Sequence, residues 1–331
     1  MFKMNKILLV IFVCMFISFK SYSQDPQFSQ FYASSLYLNP AFTGNTEGGR
    51  FSSVYRNQWA AIPGAFVSYS FAYDYNLSNV NSGLGLMVTH DKAGSGGLKY
   101  TNIGGLYSYA FQIKRKLFFR AGLKFSYTFR GINQSQLVFA DQIIRDNALE
   151  SVESFNSYGV SYFDAGTGGL LYSSKYWLGI SFDHISRPEQ SLILKETHLP
   201  IKSSIHGGYN FVFLESQDDD GTSLVTAFNF KHQLNWNQLD VGAYYNKGPF
   251  VVGLWYRGVP LMKTFENNYN NDAIVFLTGV SYKGVKFGYS YDITISKLAG
   301  NTGGSHEISL IFEHGKKQKR KRRGAVPCAK F

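Results

Sequence analysis

Histidines are the residues of this chain best suited to acid–base or metal chemistry, and there are seven of them. His90 and Asp91 are adjacent, as are Asp183 and His184, and both His306 and His314 lie near the last predicted strand. None has the His-Glu-x-x-His spacing of a zinc site, and the chain has no Gly-x-Ser-x-Gly nucleophile elbow. We interpret these histidines as polar loop or interior residues. The sequence thus predicts no catalytic residue, cofactor or metal, and a protein that is not an enzyme.

Two glycine-rich stretches, 166–169 and 301–304, have the composition of a phosphate loop. Neither is completed by Lys-Ser or Lys-Thr, and neither precedes a helical pattern, so we interpret them as strand and turn glycines. An enzyme built on a membrane barrel stays a third hypothesis, after two non-enzymatic ones given below.

The alternation of side chains predicts the elements that position these residues. Between Lys116 and Arg130 every second residue is apolar or aromatic, and those between are mostly small, polar or charged. Successive side chains of a strand lie on opposite faces, so one face is apolar and the other polar. Repeated in strand after strand, this pattern is typical of a barrel in lipid, where only a helix or a closed barrel satisfies every backbone group.

Similar alternation predicts an all-β fold, a transmembrane antiparallel β-barrel of about 14 strands with a short N-terminal plug or docking segment. The predicted strands are 49–58, 65–75, 83–90, 98–111, 116–130, 160–173, 175–184, 201–213, 222–231, 235–246, 249–258, 273–282, 285–293 and 304–313. Aromatic residues make up 17% of the chain, which suits the aromatic girdles of such a barrel.

The predicted connections alternate in length. The short ones are 76–82, 112–115, 174, 214–221, 246–248 and 283–284; the longer ones are 131–159, 185–200, 259–272 and 294–303. Outer-membrane barrels have short periplasmic turns and longer external loops, so an even strand count predicts that both termini are periplasmic. The short connection at 232–234 is an exception on the external side.

The first 23 residues have the pattern of a signal peptide. Lys3 and Lys6 precede an apolar run over 7–19, and small residues precede a cleavage site ahead of Gln24. The run is too short for a membrane span. We expect a signal peptide at 1–23, an N-terminal segment at 24–48, the barrel at 49–313 and a basic periplasmic tail at 314–331, in the bacterial outer membrane.

The net charge of +11 comes from the two ends of the chain. Three cations lie in the predicted signal peptide and eight in the tail, so residues 24–315 carry no net charge, which argues against nucleic acid as a partner. The tail has three interpretations: a solvated end, a contact with anionic outer-membrane lipid, or a docking site for an acidic periplasmic protein. Its candidate binding residues are Lys316, Lys317, Arg320, Arg322 and Arg323. Cys328 would be the only cysteine after the signal peptide, so no internal disulfide is expected.

Charged side chains also alternate onto the predicted interior face. The cations are Arg120, Lys124, Arg130, Arg257 and Lys286, and the anions are Asp74, Asp183, Asp292 and Glu307. They form either a basic pore wall or ion pairs that close the lumen. Since an unpaired buried charge is costly, we expect pairing.

The segment before the first strand is unusually aromatic and needs a surface to pack on. Its apolar residues are Phe28, Phe31, Tyr32, Leu36, Tyr37, Leu38 and Phe42, and Asn39-Pro40 is a turn signal. We expect it to plug or line the periplasmic mouth of the barrel, with Phe28, Phe31, Tyr32, Leu38, Asn39 and Pro40 as binding residues. The alternative is a docking peptide for a partner.

The same segment carries a family resemblance. Residues 25–32 read Asp-Pro-Gln-Phe-Ser-Gln-Phe-Tyr, and 36–44 read Leu-Tyr-Leu-Asn-Pro-Ala-Phe-Thr-Gly. This opening resembles that of mature PorP/SprF-family proteins, which are outer-membrane proteins of the type IX secretion and gliding machinery of Bacteroidota. Further similar motifs are found at 55–59, 90–94, 139–142, 163–169 and 290–292.

The resemblance implies a role in export or surface attachment of cargo such as adhesins. It also implies periplasmic partners among the type IX envelope components, including peptidoglycan-binding lipoproteins. Our main hypothesis is a non-enzymatic barrel that holds or passes a surface cargo through its external loops, especially 131–159 and 259–272. The alternative is a porin-like channel for small solutes.

Overall fold

Fourteen antiparallel strands close into a barrel, as the alternation predicts. This computed structural model describes residues 25–133, 137–145, 159–192, 197–214, 221–263, 269–296 and 299–315. The strands are β1 Gly49–Gln58, β2 Phe66–Leu77, β3 Ser82–Ala93, β4 Leu98–Lys114, β5 Leu117–Gly131, β6 Gly159–Tyr172, β7 Tyr176–Asp183, β8 Lys202–Leu214, β9 Thr222–Gln233, β10 Trp236–Lys247, β11 Phe250–Lys263, β12 Tyr269–Tyr282, β13 Val285–Thr294 and β14 Ser305–His314.

The barrel closes where the first and last strands meet. β1 pairs with β2 on one side and with β14 on the other, from Gly49 opposite His314 to Gln58 opposite Ser305. Every other strand pairs with its two neighbours in sequence. Each described strand therefore has a partner on both sides, as a structure in lipid requires.

Side chains divide between the two faces of the wall as predicted. In β5, Phe125 is 51% exposed on the outside, whereas its neighbour Lys124 is 6% exposed on the inside. Exposed apolar side chains recur around the barrel, for example Phe71, Leu86 and Leu254. This one-sided apolar surface matches the hydrocarbon layer of a membrane. None of the described helices has the length and apolar character needed to cross a membrane.

The two ends of the barrel differ in their connections. We call one the turn end; its connections are 78–81, 115–116, 173–175, 215–221, 248–249 and 283–284. We call the other the loop end; its connections are 59–65, 94–97, 132–158, 184–201, 234–235, 264–268 and 295–304. The expected alternation of length is confirmed, including the short exception after β9. The chain enters β1 and leaves β14 at the turn end.

One predicted loop is wrong in extent. The connection expected over 259–272 is much shorter, because β11 continues through Lys263 and β12 begins at Tyr269. Gly258 has a φ of 148°, and the register of the β11–β12 ladder shifts beside it. Asp272 of β12 is the extra residue of this bulge, and pairing resumes beyond it with Gly258 opposite Asn271 and Val259 opposite Asn270.

The core of the protein lies inside the barrel. A short α-helix, Ser35–Leu38, and a 3-10 helix, Pro40–Phe42, belong to the N-terminal segment, and Phe42 packs in one hydrophobic cluster with Trp177 and Trp255 of the wall. Elsewhere there are a 3-10 helix, Ser78–Val80, and an α-helix, Ala140–Ile144. Apolar burial therefore joins the segment to the inner face of the strands.

Candidate functional site

The N-terminal segment runs through the lumen from one end of the barrel to the other; we call residues 25–44 the lumen segment. At the loop end the Asp25 carboxylate accepts from Lys202 Nζ at 2.7 Å and lies 2.9 Å from His184 Nε2. At the turn end the Gly44 N–H donates to Asp74 at 2.8 Å, and the Gly44 carbonyl accepts from Asn76 at 2.7 Å. The segment therefore fills the interior as well as the mouth where sequence reasoning expected it.

This path separates the two ends of the described chain. β14 finishes at the turn end, and Asp25 lies at the opposite, loop end beside the residue that follows β7. The start of β1 and the end of β14 therefore lie at the same end of the barrel, whereas Asp25 lies at the other end. The side of the membrane that each end faces stays a prediction.

A buried carboxylate on β14 binds the backbone of the lumen segment. The backbone N–H groups of Ser29 and Gln30 each donate to Glu307 at 2.8 Å. On the adjoining strand Arg56 donates to Glu307 at 3.0 Å and to Asp292 at 2.8 Å. All three charged side chains are at most 2% exposed, so the arginine offsets charge that water cannot reach.

A second arginine completes this network from the other side. Arg257 donates to Asp292 at 2.9 Å, to Asp240 at 2.8 Å and to the Ser29 hydroxyl at 2.7 Å. Further along the wall Lys124 pairs with Asp183. Of the five predicted interior cations, Lys124, Arg257 and Lys286 are ion-paired, the last with Glu313 rather than with a predicted anion. Arg120 instead donates to the Thr43 carbonyl of the lumen segment, and Arg130 donates to Gln190. The expected ion pairing is therefore confirmed in part.

The Asn39-Pro40 turn holds the segment against the opposite wall. Asn39 is fully buried; its Oδ1 accepts from the Ala41 N–H at 2.8 Å, and its Nδ2 donates to the Gly169 and Ile180 carbonyls. A Cβ at Gly122 on β5 would overlap the backbone of Pro40 and Ala41. Close approach of two backbones thus requires glycine at this wall position.

Aromatic rings fill the space between these polar contacts. Phe31 meets Trp255 edge-on with ring centroids 5.2 Å apart, Tyr32 meets Tyr244 at 5.8 Å, and Phe42 lies 5.3 Å from the His206 ring. Of the predicted apolar anchors, four are buried and three are partly buried. The buried ones are Phe28, Tyr32, Leu36 and Phe42, and the partly buried ones are Phe31, Tyr37 and Leu38.

Sequence reasoning missed the wall residues that receive the segment. Arg56 was noticed only within a motif, although its place between two outward-facing residues of β1 marks it as an interior charge. Trp255 and Gly122 gave no signal, because their role depends on which strand faces the segment. The predicted tail residues Lys316, Lys317, Arg320, Arg322 and Arg323 lie outside the described residues, as do 1–23 and Cys328.

The histidines serve as hydrogen-bonding partners of the wall and the segment. His184 bridges Asp164, at 2.6 Å, and Asp25; His90 bonds Thr101, at 2.9 Å. Among the described residues no group of three or more His, Cys, Asp or Glu side chains is placed to hold a metal ion.

Electrostatics reinforce the contact at the loop end. Burial on its own would lower the pKa of His184, but the carboxylates of Asp25 and Asp164 outweigh it and raise the pKa to about 9. Burial likewise opposes ionisation of Asp25, yet Lys202 and His184 hold the pKa of that carboxyl well below its usual value. The segment is therefore fixed at this end by a charged imidazolium and an ammonium group.

Replacing Glu307 by Gln is expected to loosen the lumen segment. The substitution leaves Arg56 with one carboxylate fewer and weakens the acceptor of two backbone N–H groups, and breaking a buried pair costs about 3–5 kcal/mol. Limited proteolysis of residues 25–44 and thermal unfolding measure the effect. Glu313→Gln on the same strand is the control: its partly exposed pair with Lys286 is expected to contribute under about 1 kcal/mol. Equal behaviour of the two variants contradicts the anchor.

The loop-end contact is expected to weaken in alkali. His184 has a higher pKa in the folded protein, about 9, than its ordinary 6.5, so its stabilisation is complete below pH 6.5 and is lost as the pH rises through about 9. Hydrogen exchange of residues 25–30, corrected for the intrinsic pH dependence, should show protection falling across that window. In His184→Gln the protection should be weaker and flat; an unchanging wild-type profile contradicts the assignment.

Comparison with solved structures returns membrane barrels at low identity. The toluene transporter TodX of Pseudomonas putida is 10% identical, with a TM-score of 0.44 over 84% of this chain and 93% of that one. A Pseudomonas aeruginosa FadL homologue is 11% identical, with a TM-score of 0.46 over 85% and 94%. Acinetobacter baumannii Omp33 is 7% identical, with a TM-score of 0.38 over 82% and 100%. At these values the likeness carries no argument about function.

A search of curated proteins finds no match. The comparison with protein families is decisive, because one family description, type IX secretion system membrane protein PorP/SprF, matches residues 20–312. The match includes the lumen segment and reaches into β14. This chain belongs to the PorP/SprF family of type IX secretion system membrane proteins.

Proposed function

We propose that this protein is a non-enzymatic outer-membrane barrel of the type IX secretion and gliding machinery that supports export or surface anchoring of a cargo such as an adhesin. The observation that carries the proposal is the occupied lumen of a family member. Because buried ion pairs join β1, β13 and β14, and the lumen segment hydrogen-bonds to the same carboxylate, the interior is built for stability. Binding of other molecules is therefore expected at the two ends of the barrel.

The short turns are assigned to the periplasm and the loop end to the cell surface, following the usual asymmetry of outer-membrane barrels. On this assignment the periplasmic face meets type IX envelope components, including a peptidoglycan-binding lipoprotein. Cargo meets the loop end, chiefly at the β5–β6 connection, since the β11–β12 connection is shorter than its sequence suggested. Asp25 would then point towards the outside, and the end of β14 towards the periplasm.

The lumen segment acts as a resident plug in this proposal. Its alternative role, a peptide that docks on a periplasmic partner, would require it to leave a site where Asn39 and Gln30 are fully buried. Polar contacts at both ends and aromatic packing between them favour residence. The porin-like alternative predicts instead a continuous aqueous path through the barrel.

Affinity purification of the tagged full-length protein from mildly solubilised outer membranes tests the anchoring role. Mass spectrometry should identify a large secreted surface protein together with type IX envelope components. A barrel recovered alone in several detergents contradicts the proposal.

Substitution of His90, His184 and His306 tests the non-enzymatic part of the proposal. It should leave any hydrolase activity of the preparation unchanged.

Conductance in planar bilayers separates a plugged barrel from a porin. The wild-type protein should show no steady conductance of open-porin size. Gly122→Leu, which puts a side chain where Pro40 and Ala41 pass, should displace the segment and open the lumen. Gly105→Leu on β4 is the matched control, because nothing lies within 4 Å of a Cβ built there. A steady open-porin current through the wild type favours the channel alternative.

A further inference from the structure

The turn end carries exposed cations in most of its short connections. They are Lys114, Arg115 and Lys116 at the β4–β5 turn, Lys175 between β6 and β7, Lys247 at the end of β10, and Lys283 between β12 and β13. Within the described part of the chain none of the six lies within ion-pair distance of a carboxylate. We call them the turn-end cations. Exposed cations that pair with no described carboxylate, at several separate turns, call for an explanation beyond folding.

The turn-end cations lie directly beyond the lipid-facing surface. Tyr176 follows Lys175 and is 43% exposed, and Phe250 is 64% exposed just past Lys247. Tyr282 is 67% exposed, and its ring centroid lies 5.0 Å from the Lys283 ammonium. Aromatic rings of this kind lie at the level of lipid headgroups, so the neighbouring ammonium groups reach the phosphates.

We infer that the turn-end cations bind anionic phospholipid headgroups of the leaflet that surrounds the short turns. Their distribution selects this partner: four turns on different parts of the circumference are charged, and a shell of lipid touches all of them at once. A single acidic protein would cover only one side. A basic residue near an anionic membrane surface attracts it through charge alone, without a shaped pocket.

The acidic residues of this end limit where the lipid binds. Glu47 is exposed near the start of β1, and Glu313 is already paired with Lys286. The remaining short connection, 215–221, has four acidic residues in its sequence. Anionic lipid is thus expected on the arcs from β4 to β7 and from β10 to β13.

Among the described residues the loop end has a smaller excess of exposed cations and supplies the control. Its exposed cations Lys92, Lys99 and Arg187 are accompanied by the exposed acid Glu189, whereas Asp272 pairs with the interior Arg257. If lipid were attracted by the net charge of the protein alone, removing three cations at either end would have the same effect. If the turn-end cations attract it, only their removal should lower lipid binding.

The test uses the full chain in nanodiscs that contain equal parts of phosphatidylglycerol and phosphatidylcholine. Native mass spectrometry after gentle release counts the lipids of each class that stay bound. The wild type should retain phosphatidylglycerol preferentially, and added salt should weaken the preference by screening. Removing each cation should lower the relative retention by roughly fivefold at most, for a lysine close to the membrane surface.

Two triple variants with the same net charge are compared. The first carries Lys175→Gln, Lys247→Gln and Lys283→Gln. The second carries Lys92→Gln, Lys99→Gln and Arg187→Gln at the loop end. Only the first should lose the preference for phosphatidylglycerol. Equal losses in both, or no loss in the first, overturn the inference. If the first triple variant does not fold, each single substitution and the salt dependence of the wild type decide, and a wild type without preference also overturns it.

Discussion

The arrangement of the interior depends on two buried arginines, Arg56 and Arg257. Each needs carboxylates around it, and Asp240, Asp292 and Glu307 supply them from three other parts of the wall. The carboxylate of Glu307 also accepts hydrogen bonds from two backbone N–H groups of the lumen segment. The outer face contributes nothing to this balance because it faces lipid. The wall and the segment are thus one electrostatic unit, which explains why the lumen is filled by the protein itself.

Strand positions were predictable because lipid imposes a simple rule. With hydrocarbon outside and polar groups inside, alternation in the sequence reports each strand directly, and all fourteen were found within a few residues. The extent of β11 and β12 was not predictable, because a bulge at Gly258 depends on the partner strand. The local sequence pattern predicts where strands lie. Whether two strands stay paired beyond a bulge is determined by their contacts in the folded sheet.

The segment was predictable in kind but not in depth. Its aromatic residues and Asn39-Pro40 turn indicated packing against the barrel, and that is confirmed. Its partners on the wall could not be predicted, because they are distant in sequence. Ser29 hydrogen-bonds to Glu307, and almost the whole barrel lies between these two residues in the chain. The pairing of interior charge that the cost of burial predicts is found for Lys124 and Arg257. The carbonyl partner of Arg120 and the Glu313 partner of Lys286 depend on the geometry of closure.

The position of the lumen segment also bears on the order of assembly. The barrel closes where β14, the last strand of the chain, pairs with β1, the first. Arg56 and Glu307 lie side by side in this pair, and Ser29 bonds to both. Residues made before the first strand therefore bridge the seam that the last strand must close. A barrel sealed first would have to admit these twenty residues through one end of a closed wall and then form their buried contacts. The segment is better understood as an internal template, present from the start, around which the wall is completed.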